Sequence, residues 1–264
     1  MIALVDLEHE LARRSRRGGQ PGRHPPSVPE SYVRYVQASL ARISRQRCVV
    51  RHYTEVSAKW LEGAPIKALV LGGNVTAWSE YDEESLEPLM QVVRGASLPM
   101  LGICGGLQLM ALAHGVAVRP MRELSAGERD PAPDIASGYS KEWGFTPVRV
   151  MKPDPLFQGL EEPVFLQAHY SEVKGLPENF VLLASTDVCP IQAVRRRGTA
   201  VYGTQFHPEA YVSGDRPGGN WLVDLVYPQG YTNDQRDGRR LLVNFFREAG
   251  VLSQPGAPSA ERSA

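Results

Sequence analysis

The stretch Leu98-Pro-Met-Leu-Gly-Ile-Cys-Gly-Gly-Leu-Gln-Leu-Met110 limits what this chain can fold into more than any other segment. Leu98 to Ile103 is a short apolar run of strand length, and Leu107, Met110, Ala111 and His114 then share one helical face. The junction, Gly102-Ile-Cys-Gly-Gly106, is the cysteine form of Gly-x-Ser-x-Gly. In that turn a strand passes sharply into a helix, and the central side chain is held out on a strained backbone. Glycines two before and two after Cys104 let strand and helix pass closely. A thiolate there would face the positive end of the helix dipole, with the Gly105 N–H beside a developing oxyanion. A small buried cysteine in a plain glycine turn would show the same five residues, so the elbow needs a partner elsewhere.

The rest of the first half repeats the strand–helix alternation. Ile2–Leu7, Cys48–Tyr53 and Lys67–Leu71 read as strands, the residues from Glu30 (Val33, Val36, Leu40, Ile43) and those around Leu86–Val93 as amphipathic helices. This pattern predicts an α/β fold with a mostly parallel central sheet flanked by helices. The second half predicts shorter strands at Val116–Pro120, Phe145–Val150, Val164–Leu166, Val181–Ala184, Ile191–Val194 and Ala200–Gln205, then a helix over Gly238–Glu248. One domain over residues 1–252 is the economical description, with a loop at 13–29, an insertion at 212–237 and a disordered Pro/Ser/Ala tail at 253–264.

Charge and cysteine usage exclude several classes. Twenty-nine basic and twenty-nine acidic side chains cancel, so no global field favours nucleic acid or an anionic membrane. Arg13, Arg14, Arg16 and Arg17 form one short basic run, read as a solvated loop. No apolar run is long enough to span a bilayer, and the N-terminus lacks the basic start of a signal peptide. Cys48, Cys104 and Cys189 are widely spaced and odd in number, which points to no zinc site or disulfide framework and to the reducing cytoplasm.

A cysteine nucleophile needs a base, and Thr204-Gln-Phe-His-Pro-Glu209 offers one. It leaves a predicted strand, and in an extended stretch His207 and Glu209 would project on one side. Glu209 could then fix the tautomer of His207 and stabilise its charged form. Alone, His-Pro-Glu would be an ordinary strand end; together with the elbow it is not.

Leu101–Met110 with Gly203–Glu209 strongly resembles the class I (triad) glutamine amidotransferases. The likeness extends to Leu71-Gly-Gly73 and, with the glutaminase domain of GMP synthetase, to Ala168–Val173 and Ala184–Pro190; it spans roughly residues 66–210. The resemblance implies a flavodoxin-like fold with Cys104 as nucleophile, His207 as acid/base and Glu209 as its orienting partner. It implies an oxyanion hole from the N–H groups of Gly73 and Gly105. Gln108 would bind substrate glutamine, and the backbone of Tyr170 and Ser171 its α-amino and α-carboxylate groups. His169 reads as a satisfied structural histidine. No metal or organic cofactor is needed for glutamine hydrolysis by this route.

Some features depart from the family pattern. Asn74 stands where the family often has proline, and its tolerance of unusual backbone angles would keep the oxyanion strand intact. Residues 122–140 and 212–237 are insertions; the second, with Trp221, Tyr227 and Tyr231, is either a lid or docking surface or a plain surface excursion. No acceptor-substrate domain follows. The favoured expectation is therefore a glutaminase feeding ammonia to a separate synthetase subunit. A γ-glutamyl hydrolase or peptidase is the alternative, and a non-catalytic glutamine-sensing subunit the second.

Overall fold

Four short, wholly buried runs, Ile2–Asp6, Ala68–Leu71, Met100–Ile103 and Val201–Thr204, occupy the centre of a sheet, where both faces are covered and alternation is not required. A computed structural model describes residues 1–9, 28–95, 97–213 and 220–254. The loop at 13–29, with the arginine run Arg13–Arg17, and the tail at 253–264 lie almost wholly outside the described residues. In chain order the elements are β1 (Ile2–Asp6), α1 (Glu30–Ser44), β2 (Cys48–His52), α2 (Ala58–Glu62), β3 (Ala68–Leu71), α3 (Glu83–Arg94), β4 (Met100–Ile103) and α4 (Gly105–Ala113). Then follow β5 (Val118–Pro120), β6 (Glu142–Pro147), β7 (Arg149–Val150), β8 (Val164–His169), β9 (Ser171–Val173), β10 (Phe180–Ser185), β11 (Ala193–Arg196), β12 (Val201–Thr204), α5 (Trp221–Val226) and α6 (Asp237–Glu248).

The main sheet has the order β2-β1-β3-β4-β12-β11-β10-β7. Its β2-β1-β3-β4-β12 portion is parallel, and the β11-β10-β7 edge is antiparallel. This is the expected flavodoxin-like arrangement, in which ligands sit outside the carboxyl ends of the parallel strands. β3, β4 and β12 all end on that side, at Leu71, Ile103 and Thr204. One face of the sheet is covered by α1 and α6, whose Leu40, Leu241, Leu242, Phe245 and Phe246 are fully buried. The other carries α3 and α4, with Leu89, Val93 and Leu109 buried. Asp82 caps α3 by accepting the Ser85 N–H at 3.1 Å.

Two differences from the sequence expectation have simple causes. The strand expected over Phe145–Val150 is two strands, because the chain leaves one partner after Pro147: β6 ends there in its pairing with β8, and after Val148 β7 joins β10. Ser171–Val173, unmarked in the sequence, is a strand because it pairs with β5. Short strands of this kind are made by their neighbour and not by their own composition.

Candidate active site

Cys104 is the N-cap of α4, with φ 51° and ψ −104°. A non-glycine residue in that region is strained, and such strain persists only where the surroundings hold it. Here its N–H donates to the Thr204 carbonyl at 2.6 Å, tying the elbow to the end of β12. The first turn of α4 presses on β3: a methyl on Gly106 would lie 2.4 Å from the Leu71 carbonyl oxygen. The expected close passage of strand and helix is therefore present, and Cys104 itself is only 5% exposed. Gln205 adds an amide contact, Nε2 to Sγ at 3.5 Å.

His207 and Glu209 follow directly from β12, but not as the expected extended stretch. His207 N–H donates to the Leu166 carbonyl at 2.9 Å, and Pro208–Ala210 then form a 3-10 turn. Pro208 causes it, since its preset φ and missing N–H suit the first position of a helical turn. The turn still brings the two side chains together, His207 Nδ1 donating to Glu209 Oε1 at 2.8 Å. His207 Nε2 is buried without a hydrogen-bond partner. Burial alone would push the imidazole pKa down; the charges of Glu209 and of a thiolate at Cys104 more than reverse this and raise it to about 10. An imidazolium held against the Glu209 carboxylate is the state this geometry favours.

Gly73 lies across from the pair: a methyl on it would be 3.3 Å from His207 Cε1 and 3.7 Å from Cys104 Cβ. Among the described residues the N–H groups of Gly73 and Gly105 have no internal acceptor. Both are free to donate beside Cys104. Asn74 takes no left-handed angle, so its tolerance of unusual backbone conformations is not called upon. Its side chain holds the loop instead, Nδ2 donating to the Thr76 carbonyl at 2.7 Å and to the Tyr81 hydroxyl at 3.1 Å. Glu8, fully buried beyond β1, accepts from Val75 N at 3.2 Å, Val28 N at 3.0 Å and the Thr76 hydroxyl. Nothing in the sequence marks Glu8, because its partners lie 20 and 67 residues away.

Gln108, Tyr170 and Ser171 line the same cavity as Cys104, His207 and Glu209. Gln108 is fixed on three sides: Oε1 accepts from Trp78 Nε1 at 2.8 Å, and Nε2 donates to the Ser171 carbonyl at 3.2 Å and to Gln205 Oε1 at 3.3 Å. The Tyr170 carbonyl accepts from Met121 N at 2.7 Å. These groups are pre-positioned by the protein, which reduces the ordering a ligand would have to impose. Trp78, Tyr32 and Gln205 were not singled out in the sequence.

A second buried histidine–carboxylate pair stands beside the first. His169 Nε2 contacts Glu142 Oε2 at 3.0 Å and its Nδ1 contacts the Ser171 carbonyl at 3.1 Å. Glu142 also accepts from Thr186 Oγ1 and Gln192 Nε2. Glu142, His169 and Cys189 each place a potential metal-ligating atom within 4.8 Å of the others. Each of those groups is already hydrogen bonded, Cys189 to the Ile191 carbonyl at 3.7 Å, and burial pushes that thiol well up, keeping its proton in place. The cluster is a satisfied polar network, and His169 is the structural histidine expected.

Described residues of both insertions contribute to the cavity wall. In residues 122–140, Asp130 takes the Lys141 ammonium at 2.7 and 2.9 Å, with that side chain fully buried, and Ile135 joins the cavity wall. In residues 212–237, Asn220 caps α5, and Trp221, Leu222 and Leu225 of that helix line the cavity. The second insertion is thus part of the site wall and not a plain surface excursion.

The profile of the family described as "Glutamine amidotransferase class-I" matches residues 28–219. The glutamine-hydrolysing GMP synthase subunit of Methanocaldococcus jannaschii is 31% identical over 179 residues, covering 67% of this chain and 82% of that one. Its counterpart from Methanococcus aeolicus is 28% identical over 224 residues, covering 84% and 95%. The crystal structure of a glutamine amidotransferase from Thermotoga maritima shares the fold, with a TM-score of 0.60 at 14% identity over 94% of this chain and 97% of that chain.

Proposed function

The chain belongs to the glutamine amidotransferase class-I family and hydrolyses the side-chain amide of glutamine; from that premise we propose that Cys104, His207 and Glu209 carry the reaction and that a separate synthetase subunit receives the ammonia. The observation that carries this reading is a buried His207 whose Nδ1 is held by Glu209, whose Nε2 is not taken by any other group, and whose ring interacts with Cys104.

The Cys104 thiolate adds to the carboxamide carbon, and the carbonyl oxygen becomes an oxyanion against the N–H groups of Gly73 and Gly105. His207 gives its proton to the departing nitrogen, the C–N bond breaks, and ammonia leaves a γ-glutamyl thioester. Water enters, His207 takes its proton, and hydroxide addition releases glutamate and the Cys104 sulfur. Glu209 stabilises the imidazolium whenever it forms. Gln108, with the backbone of Tyr170 and Ser171, holds the amino-acid end of the substrate.

The named relatives are subunits of a glutamine-hydrolysing synthase, which supports delivery of ammonia to a partner chain. Among the described residues no helix is long and apolar enough to cross a membrane. Three buried cysteines without disulfides suit a reducing compartment, and we place the protein in the cytoplasm. The test is glutamate and ammonia release from glutamine by wild type and Cys104→Ala, with and without the co-purifying synthetase chain. Release that requires Cys104 and rises with the partner is expected. Release independent of Cys104 overturns the site assignment, and indifference to every co-purifying chain overturns the partner.

A further inference from the structure

Helix α1 reaches the active site through one atom. The Tyr32 hydroxyl donates to Glu209 Oε1 at 3.1 Å, and that same oxygen accepts from His207 Nδ1 at 2.8 Å. Glu209 Oε2 is buried and has no hydrogen-bond partner. Two donors thus converge on one oxygen of a buried carboxylate, and its solvation inside the protein depends on them. Tyr32 is itself held in place, its ring stacked on Tyr35 at 6.2 Å and tilted against Trp221 at 5.5 Å. The same helix grips the chain just past Glu209. Ser39 Oγ and Arg42 Nη2 meet the Tyr211 hydroxyl at 2.9 and 2.8 Å.

We propose that Tyr32 is a positioning residue for glutamine hydrolysis, fixing the Glu209 carboxylate against His207 and drawing off part of its negative charge. This rests on the role of His207 as acid and base proposed for the hydrolysis itself. The groups that act on His207 are Cys104 from the elbow and Glu209 from the 3-10 turn, with Tyr32 from α1 on Glu209 and Tyr35 behind it; β8 contributes the Leu166 carbonyl, and its His169, with Lys141, lines the same cavity. Burial and the charge of Glu209 raise the phenol pKa well above its usual range, so Tyr32 remains a protonated donor throughout the working pH range. The consequence falls on His207, which must release a proton to ammonia and then remove one from water. A carboxylate that gives part of its charge to a phenol stabilises the imidazolium less, and the proton is released more readily.

The test uses Tyr32→Phe in the full chain, which removes the hydroxyl and keeps the ring. With glutamine as substrate, kcat is expected to fall by about tenfold while KM stays within about twofold, since the lost contact acts on the proton-transfer group and not on the ligand. The limb of the pH–rate profile that reports His207 should move to higher pH by about one unit, because Glu209 then pulls harder on the imidazolium. Site-specific 3-fluorotyrosine at position 32, a stronger donor, should move the same limb to lower pH. If Tyr32→Phe fails to fold in a thermal melt, the fluorotyrosine protein alone decides the sign. An unmoved limb in either protein overturns the proposal, as does a raised KM at unchanged kcat, which would make Tyr32 a pocket wall only. Wild type lacking Cys104-dependent glutamine hydrolysis would instead sink the functional reading beneath it.

Discussion

Two buried histidine–carboxylate pairs, His207–Glu209 and His169–Glu142, have similar contacts of 2.8 and 3.0 Å, and His207, Glu209 and His169 line one cavity. They differ in what the second ring nitrogen does. His169 uses both nitrogens, and its carboxylate is covered by Thr186 and Gln192. His207 leaves Nε2 unsatisfied, and its carboxylate keeps one bare oxygen. On the proposed mechanism, reactivity lies in the incomplete pair. The complete pair holds Ser171, and through it the end of the cavity where Gln108 is fixed.

The sharpest way to break this contrast is to remove each imidazole. His207→Asn should lower kcat for glutamate release by on the order of a thousandfold with the melting temperature little changed. His169→Asn should act mainly on KM and stability, and equal losses of kcat in the two variants would erase the distinction. Next in size is the donor side of the site. Gly105→Ala would bring its methyl 1.9 Å from Asn74 Oδ1 and 3.0 Å from the Asn74 backbone nitrogen, displacing the oxyanion strand. A drop in kcat of about a hundredfold is expected, read by single-turnover glutaminase assay.

Much of this was legible in the sequence because it is local. The elbow is five consecutive residues, and His207 and Glu209 are two apart, so motif and spacing carry them without knowledge of the fold. Gln108 is one helical turn past Cys104 on a strongly apolar segment. Tyr32 was not legible, because its contact with Glu209 spans 177 residues and its position on α1 looks like an ordinary buried stripe. Trp78 and Glu8 were hidden for the same reason: each acts through a loop whose path only the sheet order defines. Asn74 misled in a different way. Its backbone tolerance drew attention, while its work is done by the side-chain amide.

A smaller effect separates the pairs by stability. Glu142→Gln leaves the volume but removes the charge from a fully engaged carboxylate, and should cost about 1–3 kcal/mol of unfolding free energy in urea titration. The smallest effect is on pH. The His207 pKa in the folded protein lies above its ordinary value near 6.5, at about 10. Its charged pair therefore stabilises the fold fully below about pH 6.5, and that contribution is lost as pH rises through about 10. Melting temperature should decline over that interval in wild type and decline less in Glu209→Gln; identical slopes would show that the pair does not govern it.

The most direct measurement is covalent labelling of the thiols by a glutamine-analogue diazoketone, followed by mass spectrometry of wild type, His207→Asn and His169→Asn. One adduct is expected, on Cys104 and not on Cys48 or Cys189, formed rapidly in wild type, at a greatly reduced rate in His207→Asn, and still formed at saturating reagent in His169→Asn. Labelling of His207→Asn at the wild-type rate, or an adduct on either other cysteine, would contradict the assignment of the incomplete pair as the one that activates Cys104.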